Sequence, residues 1–95
     1  MKISFDPAKN ERNIQTRGLS FERAAEFDFE GAWLWIDSRK IYPELRISAL
    51  GLLGGRLHSL VFSETTDGIR IISLRKSNKR EVKRHEQEIQ TRAGR

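Results

Sequence analysis

Between Trp33 and Leu74 four runs of branched and aromatic residues follow one another, separated by turns too short to carry the chain across a sheet. A parallel neighbour needs a connection of about a dozen residues or more, so these four runs must pair antiparallel. Trp33 to Ile36 is the first, built from residue types that suit a pleated surface, and Asp37 to Lys40 is a polar turn. Leu45 to Leu50 alternates, with Leu45, Ile47 and Ala49 on one face and Arg46, Ser48 and Leu50 on the other. Gly51, Gly54 and Gly55 bracket a hairpin loop, and Arg56 to Ser63 is apolar on both faces near its centre, as a covered strand would be. The Asp67-Gly68 turn then leads into Ile69 to Leu74.

Helical patterns flank this block. Ile3-Ser4-Phe5 reads as a brief strand, and Asp6-Pro7 as the cap and first position of a helix running to about Thr16, with Ala8 and Ile14 as its inward residues. Gly18 stops it; Ser20 opens a second short helix, Phe21 to Glu26, with Phe21, Ala24 and Ala25 at helical spacing, and Phe27 to Gly31 is a link. After the last strand, Asn78 with Glu81 three residues on forms a capping pair for a basic helix from Lys79 to about Thr91. Val82, His85 and Ile89 make its thin apolar side, and Thr91 to Arg95 should fray. The predicted class is α+β: a short strand and two helices, a four-strand antiparallel sheet and a C-terminal basic helix, in one domain of 95 residues.

Composition excludes several functions. There is no cysteine and there are only two histidines, His58 and His85, on separate elements, so neither a disulfide framework nor a metal cage is expected. No serine lies in a strand-turn-helix elbow, and no apolar run nears the ~18 residues of a membrane span, so a cytoplasmic protein without membrane contact or cofactor is expected. The net charge of +5 is concentrated at the C-terminal end, where residues 69–95 carry nine basic and three acidic groups. That asymmetry points to a polyanionic partner, with a solvated basic helix as the plain alternative.

The junction at Arg75-Lys76-Ser77-Asn78 is the expected working end, because it gathers Arg70, Arg75, Lys76, Lys79 and Arg80 near the positive end of a helix. Cleaving RNA without metal needs a base for the 2′-hydroxyl, cations for the charge on the phosphate oxygens, and a proton donor for the leaving 5′-oxygen. Glu64 is the candidate base, folded back toward Arg75 and Lys76 if the hairpin register is in phase, and His85 is the candidate donor. Glu64 in a cross-strand salt bridge and His85 as a packed side chain are the plain readings, as core packing is for Trp33, Trp35 and Tyr42, which can also stack on bases.

The order of motifs, FDPAKNERNIQTRGLSFERAAEF, YPELRISALG, RLHSLVFSET and GIRIISLRKSNKREVKRHE, resembles the BrnT family of bacterial ribonuclease toxins from Phe5 to Glu86. The resemblance implies a RelE-like fold, RNA cleavage that arrests translation and growth, and a BrnA-like ribbon-helix-helix antitoxin through which the pair reaches operator DNA. It also implies charged functional positions at Arg46, Glu64, Arg70, Arg75, Lys76 and Arg80. Thr16-Arg17 stands where the family commonly has Lys-His, Leu45 where a second acid is usual, Leu74 where an alanine is usual, and His85 where a tyrosine is frequent. An endoribonuclease toxin is therefore the expectation, and a non-catalytic nucleic-acid-binding or regulatory partner the alternative.

Overall fold

The computed structural model describes residues 1–93. In chain order it contains β1 (Lys2–Phe5), α1 (Pro7–Arg17), a 3-10 helix (Phe21–Glu26), β2 (Trp33–Ile36), β3 (Ile47–Leu53), β4 (Arg56–Glu64), β5 (Gly68–Lys76) and α2 (Lys79–Ala93). The α+β class is as expected, and β2 to β5 do form an antiparallel meander. The sheet nevertheless has five strands, in the order β1-β5-β4-β3-β2, because β1 adds to the outer edge of β5 in parallel. The crossover that parallel pairing requires is the whole segment from α1 to β4. Gly68 makes it possible, since a side chain there would collide with the backbone carbonyl of Lys2.

α1 and the 3-10 helix cover one face. Asp6 caps α1 by accepting a hydrogen bond from Ala8 N, and Gly18 closes it at φ 65°, the left-handed conformation that glycine adopts without strain. Ser20 caps the 3-10 helix, whose Phe21 and Ala24 enter a core with Phe27, Leu60, Phe62, Ile69, Ile71 and Leu74. Each fully buried side chain of this size contributes about 1.5–3 kcal/mol of transfer free energy.

Ala8 and Ile14 are exposed, contrary to the amphipathic reading of α1. Two amides hold the helix instead. Asn13 Nδ2 donates to the carbonyls of Leu19 and Leu74, both at 2.9 Å, while Asn10 Oδ1 accepts from Phe21 N at 2.7 Å. Asn13 is thus buried because it satisfies carbonyls that would otherwise lie in the core without donors.

A β-bulge in β5 decides which residues share a face. Val61 opposes Ser73 but Phe62 opposes Ile71, so Ile72 is an extra residue on the β5 side. Strict alternation would separate Ile71 from Leu74; the inserted residue restores both to the core and aligns Arg70, Ser73 and Arg75 on the opposite face.

Further boundaries differ from expectation for local reasons. Gly51 lies inside β3, packed beneath Phe27 and Ala32, and Leu45 precedes the strand and is exposed. Thr91 to Ala93 remain helical, and the rest of the segment expected to fray, Gly94 and Arg95, lies outside the described residues.

Candidate functional site

The face of the sheet turned away from the core is read directly from the register. One cross-strand row is Trp33, Leu50, Ser59 and Arg75, and the next is Trp35, Ser48, Val61 and Ser73. Ser63 and Arg70 continue the series, with Arg46 just ahead of β3. Over these rows lies a cavity of about 380 Å³, floored by Ser48, Ser59, Val61 and Ser73 and walled by Trp35, Asp37, Arg39, Arg46, Arg75, Glu81 and Arg84. Its volume is in the range of small-ligand sites.

One end is built by the β5–α2 junction. Asn78 and Glu81 form the expected capping box: Asn78 Oδ1 accepts from Glu81 N and Glu81 Oε1 accepts from Asn78 N, both at 2.9 Å. Glu81 also takes two hydrogen bonds from the Arg75 guanidinium at 2.8 Å each, a fork-to-fork pair. Those bonds hold the Glu81 carboxyl below the usual glutamate range and raise Arg75 further. One turn along, the Arg84 guanidinium lies 5.1 Å from the Trp33 ring and 5.7 Å from Trp35.

At the other end, Asp37 accepts from Arg39 Nε at 2.9 Å and Nη2 at 2.8 Å, with the Tyr42 hydroxyl at 3.4 Å. The Arg39 hydrogen bonds lower the Asp37 carboxyl to about 2. The Arg46 guanidinium rests 4.1 Å above the Tyr42 ring and its Nε donates to Glu44 at 3.0 Å. Arg46 and Ile72 also line a second cavity of about 410 Å³, where Lys9 and Arg70 stand with Asp6 and Glu44, so a charged surface continues across the sheet toward α1. In the first cavity four guanidinium groups face two carboxylates, each already paired. Arg84 makes no ion pair among the described residues. Such a concave surface can bind and stabilise a phosphate anion.

The sequence candidates fall in several places. Arg46 and Arg75 line the first cavity, and Arg70 the second. Lys76 turns to the other face, as alternation demands, and meets Arg17 and Leu19 in a separate depression that also touches Arg75. Lys79 and Arg80 are exposed on the first turn of α2, Lys79 beside Arg56. The junction therefore does not gather all five cations.

Glu64 does not fold back toward Arg75 and Lys76. The register sets it opposite Ile69 at the turn, whereas Arg75 opposes Ser59, five residues back along β4 and so ~17 Å away. Glu81, read from the sequence as a helix cap and not as a catalytic candidate, is the carboxylate beside Arg75. His85 is half-buried with Glu81 and Glu88, so the side of α2 turned toward the sheet is polar, while Val82 and Ile89 are exposed. The Arg75 pair and the Arg84 stack, not the apolar stripe, set the rotation of the helix.

Arg39, Asp37 and Arg84 were not singled out by sequence reasoning. For Arg84 a signal existed, since it follows Glu81 by three residues and so shares its helix face. Among the described residues no three His, Asp or Glu side chains converge as a metal site would require, and no helix is long and apolar enough to cross a membrane.

Residues 5–81 match the family described as "Ribonuclease toxin, BrnT, of type II toxin-antitoxin system". Comparison with curated proteins gave no match. The matched span begins at the last residue of β1, takes in β2 to β5 whole and ends at Glu81, so it includes the Arg75–Glu81 pair and stops short of Arg84 and His85. Since that span covers most of the 95 residues, the chain belongs to the BrnT family of ribonuclease toxins of type II toxin-antitoxin systems.

Proposed function

We propose that the cleft of Arg39, Arg46, Arg75 and Arg84 holds a phosphodiester of RNA and that the chain cleaves it without metal by attack of the adjacent 2′-hydroxyl. The observation that carries this reading is the surplus of guanidinium groups over carboxylates in one concave site. Arg46, Arg75 and Arg84 have the role of stabilising charge that builds on the phosphate oxygens in the transition state. Arg70, with Lys79 and Arg80 further out, contacts flanking phosphates. Proton transfer falls to Glu81, the carboxylate inside the cleft, and to His85 on the same side of α2. Lys76 with Arg17 is a second basic rim, and Glu64 lies too far along the hairpin to act at the same phosphate.

In this reading the free chain acts on cytoplasmic RNA and arrests growth. A BrnA-like ribbon-helix-helix antitoxin covers the basic groove and carries the complex to operator DNA. Expression alone should stop growth of a bacterial host and coexpression of the antitoxin should restore it.

One observation favours binding without cleavage: both carboxylates of the cleft are tied to arginines and are weakened as bases. Incubation of the purified chain with RNA in EDTA separates the two readings. Fragments ending in cyclic phosphate support the nuclease, and intact RNA bound by the chain supports the alternative. Cleavage that EDTA abolishes and magnesium restores would overturn the metal-free mechanism.

A further inference from the structure

We infer that Trp33 and Trp35 form a nucleobase-stacking subsite beside the phosphate cleft, so that the chain grips a base as well as the backbone of single-stranded RNA. This rests on the RNA reading above and assigns residues to it. The two indoles stand on one face of β2, an edge strand, with ring centroids 4.9 Å apart and planes tilted by 44°. Both are only half-buried, and neither belongs to the core cluster on the other face. A pair of large aromatic rings left at a sheet edge beside a cavity is surface available for recognition.

Their cover is Arg84, whose guanidinium lies over both rings and makes no ion pair among the described residues. A guanidinium on an aromatic face keeps its in-plane donors free for phosphate. Trp35 lines the cleft in the same row as Ser48, Val61 and Ser73, so a phosphate held there has the indoles at its flank. The base next to that phosphate stacks on the indole as Arg84 moves onto the backbone oxygens. Because every base has a π-face, such a site tolerates sequence.

The chain has two tryptophans in all, so its intrinsic indole fluorescence reports this place alone. The full chain is titrated with a 2′-O-methyl RNA oligonucleotide, which cannot be cleaved, and with one of equal length and charge whose bases are removed. The base-bearing strand should quench the fluorescence and bind about tenfold more tightly, the worth of one stacked base. Trp35→Leu should erase that difference, leaving both strands at the weaker affinity; if that variant does not fold, Trp35→Phe should reduce the difference by a smaller factor. Equal affinity and equal quenching by the two strands in the parent would overturn the stacking site while leaving phosphate binding intact. Failure of both strands to bind would overturn the RNA reading and the subsite together.

Discussion

Replacing Glu81 by alanine tests how the C-terminal helix is held. Glu81 accepts two hydrogen bonds from Arg75 and one from Asn78 N. Hydrogen bonds to charged groups are worth ~1.5–3 kcal/mol. The Arg75 side chain is 34% exposed, which places this pair at the low end. Losing half of the capping box removes a further ~0.5 kcal/mol. The total of ~2 kcal/mol is about a 30-fold change in the ratio of docked to undocked helix. No described side chain of α2 is buried, so little besides the Arg84 stack opposes detachment. Amide hydrogen exchange in Glu81→Ala should accelerate by about that factor across α2, while β4 and β5 exchange as in the parent. The pH dependence has a definite sign. A carboxyl lowered in the folded chain stabilises docking above the usual glutamate range, and that contribution is lost as pH falls through the lowered value. Acid should therefore loosen α2 in the parent and do little more in Glu81→Ala. Unchanged exchange in α2, or an equal loss in β4, would refute the reasoning.

Asn13→Ala should lower global stability by about 2–3 kcal/mol in a denaturant melt, because two buried carbonyls lose their donor. Asp37, lowered to about 2 mainly by Arg39, stabilises the segment from Asp37 to Arg46 at any pH above the ordinary aspartate range and ceases to do so as pH falls through about 2. Limited proteolysis by an acid-active protease should therefore find that segment progressively more open between those limits, and in Asp37→Asn open at neutral pH when an ordinary protease is used. Glu64→Gln should leave the cleavage rate unchanged, since Glu64 sits at the hairpin turn; a large loss of rate with normal melting would return it to the active site.

The meander was legible because short turns leave antiparallel pairing as the only option, and the caps at Asp6, Ser20 and Asn78 are local chemistry that sequence displays. The parallel docking of β1 was not legible, because it depends on the close approach of Lys2 to Gly68, far apart in the chain. Nor was the bulge at Ile72, which an alternating pattern does not reveal and which determines that Arg70 and Arg75 share a face. Arg46 and Arg75 were found as candidates, but the pairing of Glu64 with Arg75 assumed a register that the hairpin does not have. α1 and α2 misled in the same way: each was read by its apolar residues, while polar groups, Asn10 and Asn13 in one and Glu81 and Arg84 in the other, hold them in place.

The central claim is that cleavage happens in the cleft over the open face of the sheet. The most direct test is the single-turnover rate at saturating RNA, in EDTA, of Arg46→Ala and Arg84→Ala beside Lys76→Ala and Arg17→Ala. The account predicts that the first two fall by ~10²-fold, as loss of a transition-state donor does, with the other two near the parent rate. Parent-like rates for Arg46→Ala and Arg84→Ala, with cleavage lost in Lys76→Ala or Arg17→Ala, would place the chemistry on the opposite rim and contradict it.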